Sequence, residues 1–165
     1  MLLLARPLGY WRETEADITQ MLMKHKRVFT DDKILGVYLS RGEPEKWITN
    51  GVDIKAYREI ERWSCERKLK YLRKHGVLED ASYRLLDTAR NLRNNIHDLT
   101  YDFSDQDHFL FWGAGFISKK IWHLFNDKTL GRSDFWTRFK PSVEKEASAI
   151  LIHYQNWKKQ KAKRA

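Results

Sequence analysis

The residues best suited to chemistry lie in one short stretch of the chain, RNLRNNIHD, at positions 90–98. His97 can gain or lose a proton near neutral pH, and Arg90 and Arg93 can stabilise negative charge on a phosphate group. Asn91 and Asn94 each follow an arginine, and their amides can orient a phosphate or the imidazole ring. We therefore take Arg90, Arg93 and His97 as candidate catalytic residues, and Asn91 and Asn94 as candidate substrate-binding residues.

A helix from Tyr83 to Leu99, preceded by Asp80 as its cap, is predicted to position these side chains. Its apolar residues repeat at the 4-3-4-3 spacing of a helix with one buried stripe: Leu85, Ala89, Leu92, Ile96 and Leu99. A second row lies about 110° further round the axis and contains Leu86, Arg90, Arg93 and His97. Charge at the edge of a buried face is unusual, so we expect this row to face a groove, a partner or a ligand.

The same residues also allow a purely structural interpretation. Both arginines can form exposed ion pairs with Asp87 or Asp98 on the same helix. His97 then only completes the last turn, where a cation interacts favourably with the helix dipole. The residues themselves leave both interpretations open.

The turn HGVLED, followed by a helix that ends in LRNNIH, resembles the HEPN superfamily of small all-α domains. In that family a helix carries Arg, often followed by Asn, and then His after four to six intervening residues. Arg90 has six residues before His97, at the long end of this pattern. Arg93 has only three, which departs from it and resembles the shorter RNxIH ending of members that often lack demonstrated catalysis. The resemblance covers the middle third of the chain, and the flanking helices match only by class.

The resemblance implies two classes of function. Catalytic HEPN members are metal-independent endoribonucleases that act as homodimers, with the Arg and His of two chains in one cleft, in RNA processing, toxin systems or phage defence. His97 and a neighbouring arginine would suit cleavage of RNA by its own 2′-hydroxyl. The alternative is a non-catalytic HEPN-like module that binds nucleic acid, a nucleotide or a protein partner. A plain structural helical domain is the third interpretation.

No motif for a metal or a cofactor is seen in the sequence. The chain has no HExxH and a single cysteine, Cys65, so neither a disulfide nor a cysteine-built zinc site is expected. No glycine-rich phosphate loop of the GxGxxG or GxxxxGK[ST] type is present. We therefore expect no metal and no cofactor.

Length and charge favour one basic domain. A chain of 165 residues is long enough for one sizeable core, so we expect a single domain over 1–165. The 31 Lys and Arg residues exceed the 22 Asp and Glu residues, and the formal charge of +9 favours an anionic partner such as RNA or an acidic protein. No signal-peptide core or membrane-length apolar run is visible, which favours a cytoplasmic protein without a membrane segment.

The fold class predicted from periodicity is all-α, a single-domain up-and-down bundle of five to six helices. Ser104 and Asp107 form a capping box that opens an apolar helix, Asp105–Asn126, which is expected to pack on the helix at 83–99. Aromatic residues on more than one side of this apolar helix predict a homodimer, placed across the edge that carries the candidate catalytic residues.

The remaining helices are predicted from caps and breakers. The expected segments are Glu13–Phe29, a short helix at 34–39, one turn at 44–49, a long basic helix Ile54–His75 between Asp53 and Gly76, and a last helix from Pro141 to Trp157. The cations of the long helix are spread around several faces, which is more typical of a solvated exterior than of a binding strip. From about residue 158 a free basic tail is expected.

Overall fold

The computed structural model describes residues 2–29, 52–96 and 101–164, and these residues form a bundle of six α-helices. The helices are α1 (Leu2–His25), α2 (Ile54–Arg62), α3 (Cys65–Lys74), α4 (Asp80–Asn95), α5 (Asp105–Thr129) and α6 (Ser133–Arg164). Within those ranges the only extended pairing is an isolated bridge between Phe29 and Val52. The predicted all-α bundle is therefore confirmed. The helical segments predicted at 34–39 and 44–49 lie outside the described residues.

The central helix of the bundle is α5, which packs most extensively against α6 and α1. Its inner residues are fully buried: Leu110, Phe111, Ala114, Ile117 and Ile121. The contact between α5 and α4 is smaller. The expected packing of α4 on α5 is therefore confirmed, but α4 is not the main partner of α5, because α5 is apolar around more of its circumference than one partner can cover.

The helices α1 and α5 run parallel, with a nearly constant offset between contacting residues. Oγ of Ser118 donates a 3.2 Å hydrogen bond to Oδ2 of Asp17. About two helical turns further along α1, the Lys24 side chain donates a hydrogen bond to Asn126 on α5. After a short turn at 130–132, α6 returns antiparallel to α5. The C-terminal ends of α1 and α5 consequently reach the same end of the bundle.

The basic segment predicted as one helix over Ile54–His75 is in fact two helices. The break falls at Trp63 and Ser64, which both have extended backbone angles, and Ser64 caps α3 by accepting a 3.2 Å hydrogen bond from the backbone N–H of Arg67. The Trp63 side chain is only 9% exposed. Burial of this indole accounts for the bend. The predicted ends of the segment are confirmed, since Asp53 caps α2 and Gly76 has a φ of 76°.

Several other helix boundaries differ from those predicted. α1 ends at His25 rather than Phe29, α5 continues to Thr129, and the N-cap of α4 is Glu79, so Asp80 is the first helical residue rather than the cap. α1 begins at Leu2, and α4 ends at Asn95, where Ile96 turns to an extended conformation. Pro141 does not start the last helix but lies inside α6, on its exposed face. Proline has no backbone N–H to donate to the carbonyl of Thr137, four residues earlier, and on this exposed face the carbonyl can bind water instead.

The C-terminal basic residues are helical rather than free, because α6 continues to Arg164. Nζ of Lys158 and Nζ of Lys161 lie 5.8 and 5.1 Å from the ring centres of Tyr154 and Trp157. Such contacts stabilise the last turns of a helix. Among the helices in the described ranges, none has the length and apolarity needed to cross a lipid bilayer.

Candidate nucleic-acid interface

The sequence-predicted residues lie at the C-terminal end of α4. Asn91, Arg93 and Asn94 are exposed there. His97 lies outside the described residues, so the structure does not place it relative to either arginine. Leu86, expected in the same row, is fully buried.

Arg90 is held in contacts on its own helix. Its guanidinium lies 2.8 Å from Oδ1 of Asp87, and the Arg90 side chain is only 13% exposed. It also donates a 3.1 Å hydrogen bond to Oδ1 of Asn91. The ion pair with Asp87 is the one expected from the structural interpretation of the sequence. Arg90 is therefore already neutralised, whereas Arg93 is exposed to solvent.

A second concentration of positive charge, which we call the basic pocket, lies at the end of the bundle where α1, α3 and α5 terminate. It has a volume of about 780 Å³ and is lined by Lys24, His25, Arg27, His75 and Lys128. Phe29, Phe125 and Trp136 supply apolar wall. None of the lining residues in the described part of the chain is acidic. The pocket thus combines cations, imidazoles and aromatic rings.

Three helices end at or beside the basic pocket with the same backbone motif. In each, one N–H bonds to the carbonyl three residues back and the next N–H to the carbonyl five residues back, with distances between 2.8 and 3.2 Å. The left-handed position of this motif is Gly76 after α3 and Gly131 after α5, but Arg27 after α1, with a φ of 53°. A non-glycine residue is strained there. The strain is thus located at a residue that gives the pocket a cation.

The positive charge of the basic pocket exceeds the partial negative charge of the three helix C-termini that end there. Each helix C-terminus carries roughly half a negative charge, about −1.5 for three helices. Arg27 and Lys128 alone supply two formal positive charges before either histidine is protonated. The excess favours an anionic ligand over dipole capping as the only role of these cations.

His25 is at the centre of an aromatic cluster on the wall of the pocket. Its ring centre is 5.0 Å from that of His75 and 5.5 Å from that of Tyr71, whose hydroxyl is 3.2 Å from Nδ1 of His25. Burial, followed by the charges of His75, Lys128 and Lys26, lowers the pKa of His25 below its ordinary value. An incoming anion would offset these cations and favour protonation of His25.

Sequence reasoning missed this pocket because its residues come from three distant segments. The one local signal is the run KHKR at 24–27, with a second Lys-His pair at 74–75 directly before a glycine. Basic residues at a helix end are expected for dipole reasons, and only the parallel course of α1 and α5 brings these ends together.

The described residues contain no group of His, Cys, Asp and Glu side chains that could hold a metal ion. Burial raises the pKa of the Cys65 thiol to about 12. The thiol stays protonated at neutral pH and is a poor nucleophile or metal ligand. Chemistry through Cys65 is therefore not supported.

No protein family matches the chain, and comparison with curated proteins and with solved structures gives no similar protein.

Proposed function

We propose that the protein binds single-stranded RNA, with the basic pocket holding the phosphate backbone. The observation that carries this proposal is the excess of cations around a pocket of about 780 Å³ whose described lining contains no acid. A net charge of +9 adds long-range attraction for a polyanion.

A single strand is favoured over a duplex because aromatic rings stand beside the cations. Trp136 is partly exposed, and Nζ of Lys128 lies 4.9 Å from its ring centre. Proteins that bind single strands combine a basic groove with aromatic rings on which bases stack. In this arrangement Lys128 contacts a phosphate and Trp136 stacks on the adjacent base.

The test is fluorescence anisotropy with a labelled RNA of about 12 nucleotides over a range of salt concentrations. The Arg27→Gly/Lys128→Ala double variant should bind at least about 10-fold more weakly. Its slope of log affinity against log salt should fall by about 1.4, because each lost contact to a single strand contributes roughly 0.7. Arg84→Ala/Lys145→Ala, which removes two exposed cations outside the pocket, serves as the matched control and should change the affinity less than about 2-fold.

The wild type failing to bind RNA at about 50 mM salt would overturn the proposal. Displacement of RNA by equimolar mononucleotide would instead identify the pocket as a nucleotide site, and displacement by an acidic protein would identify a protein partner.

A second candidate, carried by the resemblance to HEPN domains, is metal-independent endoribonuclease activity at the end of α4. The exposure of Arg93 and Asn94 in the last turns of α4 supports it. RNA should then be cut in the presence of EDTA to leave 2′,3′-cyclic phosphate ends, and His97→Ala should lose roughly 100-fold in rate. Because Arg90 is neutralised by Asp87, we expect Arg93→Ala to lose more activity than Arg90→Ala. If RNA is bound but never cut, the endoribonuclease proposal is wrong and the non-catalytic binding module is the remaining interpretation.

We also propose that the protein is a homodimer, with its contact on the outer face of α5 rather than across the edge of α4 that carries the candidate catalytic residues. The support is a row of stacked rings on the outer face of α5, in which the Trp112 and Phe116 ring centres are 5.2 Å apart and their planes differ by 13°. These two side chains are 46% and 38% exposed. Aromatic rings exposed to this extent are typical of protein interfaces.

A further inference from the structure

We infer that the RNA strand continues from the basic pocket into a second cleft, which forms where α2 meets α3 and which we call the Trp63 cleft. This inference rests on the proposed function. The Trp63 cleft has a volume of about 670 Å³, and four of its lining residues are cations: Lys55, Arg58, Arg62 and Arg67. Glu59 is the one acid among its lining residues in the described ranges. Both clefts fall within the range of about 300–1,000 Å³ that is usual for ligand sites.

The break between α2 and α3 brings these cations together. In an unbroken helix, Arg58 and Arg67 would be nine residues apart and, at about 100° per residue, on opposite sides of the axis. The extended backbone at Trp63 and Ser64 turns the chain. Arg58, Arg62 and Arg67 consequently line one cleft. The charges that look dispersed in the sequence thus form a local basic surface.

The base of the cleft holds an indole N–H that lacks an acceptor. Trp63 is 9% exposed, and its Nε1 has no hydrogen-bond partner among the residues that the structure describes. Buried donors in native proteins are nearly always paired. The side chains that lie over the ring are long and flexible, with Nζ of Lys26 at 4.6 Å and Cζ of Arg67 at 4.0 Å from its centre. The indole N–H points out in the plane of the ring and is buried, whereas these two cations lie over the ring face. The cations are therefore the groups that a phosphate in the cleft can contact.

Lys26 connects the Trp63 cleft with the basic pocket. Its Nζ lies over Trp63 and also 5.1 Å from the ring centre of Tyr71. The Tyr71 ring is 4.1 Å from that of His75, which lines the basic pocket. Cations and aromatic rings therefore alternate without interruption from one cleft to the other. This alternation fits a strand of stacked bases and phosphates better than an acidic peptide, which has no rings to stack.

The experiment compares RNA of about 12 nucleotides with a dinucleotide, which carries a single phosphate and can place it in only one of the two clefts. Arg58→Ser/Arg62→Ser should weaken binding of the longer RNA at least about 10-fold, because the two linked sites no longer act together. The dinucleotide should keep at least about half of its binding, since the basic pocket remains. Arg84→Ser/Lys145→Ser removes two exposed cations outside both clefts and is the matched control. Thermal melts should show all variants folded.

Three results would overturn the inference. In the first, the Arg58/Arg62 variant binds the longer RNA as the wild type does, while Arg27→Gly/Lys128→Ala binds it more weakly. Only the basic pocket would then bind RNA, and the proposed function would stand. The Arg84/Lys145 control could be impaired equally, which would show general charge attraction. An acidic peptide of equal charge could compete as well as RNA, which would identify a protein ligand. If the wild type binds no RNA of either length, the proposed function itself fails.

Discussion

The hydroxyl of Tyr154 on α6 donates a buried 3.0 Å hydrogen bond to Oδ1 of Asp107 on α5. Asp107 also completes the capping box of α5 with the N-cap residue Ser104. Its Oδ2 accepts a 3.1 Å hydrogen bond from the backbone N–H of Ser104 and lies 3.3 Å from the hydroxyl of Tyr101. Burial and this carboxylate raise the pKa of Tyr154. One carboxylate therefore closes a helix end and joins two helices.

Replacing this carboxylate should destabilise the fold strongly. Asp107→Ala is expected to lower the free energy of unfolding by about 3 kcal/mol, because the cap is lost and buried donors are left unpaired. Asp105→Ala, in the same turn but exposed, should cost no more than about 0.5 kcal/mol. Urea denaturation measures both. Equal losses for the two variants would show that the buried contacts of Asp107 contribute little.

The packing of α5 on α6 should be sensitive to one methyl group. A Cβ added at Gly113 would lie 2.7 Å from Cγ2 of Ile150, whose branched side chain has little freedom in a helix. Gly113→Ala should therefore destabilise by about 1–3 kcal/mol despite its better helix propensity. Gly9→Ala, where the added atom meets nothing within 4 Å, should stabilise by up to about 1 kcal/mol. Calorimetry of both variants, and of Gly113→Ala with Ile150→Ala, tests whether the clash is the cause.

The free energy of unfolding should decrease as the pH is lowered, over the pH range in which His25 titrates. Burial, followed by the charges of His75, Lys128 and Lys26, lowers the pKa of His25. The Tyr71 ring also faces the imidazole. Between that lowered pKa and about 6.5 the unfolded chain binds more protons, so stability is lost as the pH falls through this range. His25→Gln should flatten the dependence of melting temperature on pH. An unchanged profile would show that another group titrates.

RNA binding should have the opposite pH dependence. A phosphate beside His25 offsets the neighbouring cations, so His25 takes up a proton on binding and the affinity increases as the pH falls from about 7.5 to 6. His25→Gln should reduce this increase. The measurement is anisotropy at several pH values and constant ionic strength, and affinity that declines on acidification would place the phosphate away from His25.

The aromatic row on α5 should hold two copies of the chain together. Trp112→Ser with Phe116→Ser is expected to give a monomer in sedimentation velocity at micromolar concentration, with the wild type a dimer, since exposed rings provide the apolar area of an interface. Both side chains are partly exposed within one copy, so the variant should keep its fold. A wild type that sediments as a monomer would exclude the homodimer.

Features set by a few adjacent residues could be predicted from the sequence. The capping box of Ser104 and Asp107 is confirmed, as are the cap at Asp53 and the left-handed terminator Gly76. Each depends on contacts within one turn of helix, which the sequence specifies directly.

Features set by tertiary packing could not be predicted. The break after α2 accompanies the burial of Trp63, which the sequence does not show. The local signal is Ser64, a residue that often caps a helix but does not by itself show that another helix has just ended. α6 continues through Pro141 because a missing backbone N–H is tolerated on its exposed outer face. From the sequence alone, a proline is more typical of the first turn of a helix. The basic pocket requires the parallel course of α1 and α5, which no local pattern encodes.

Because of Arg27, variants selected for a higher melting temperature are expected to bind the ligand of the basic pocket less well. Its left-handed backbone position is filled by glycine at the two equivalent helix ends, and Arg27→Gly should relieve about 1 kcal/mol of strain. A library of variants ranked by melting temperature would therefore select glycine at position 27. The same selection would remove a cation from the basic pocket, so the most heat-resistant variants would be the wrong ones in which to look for the ligand.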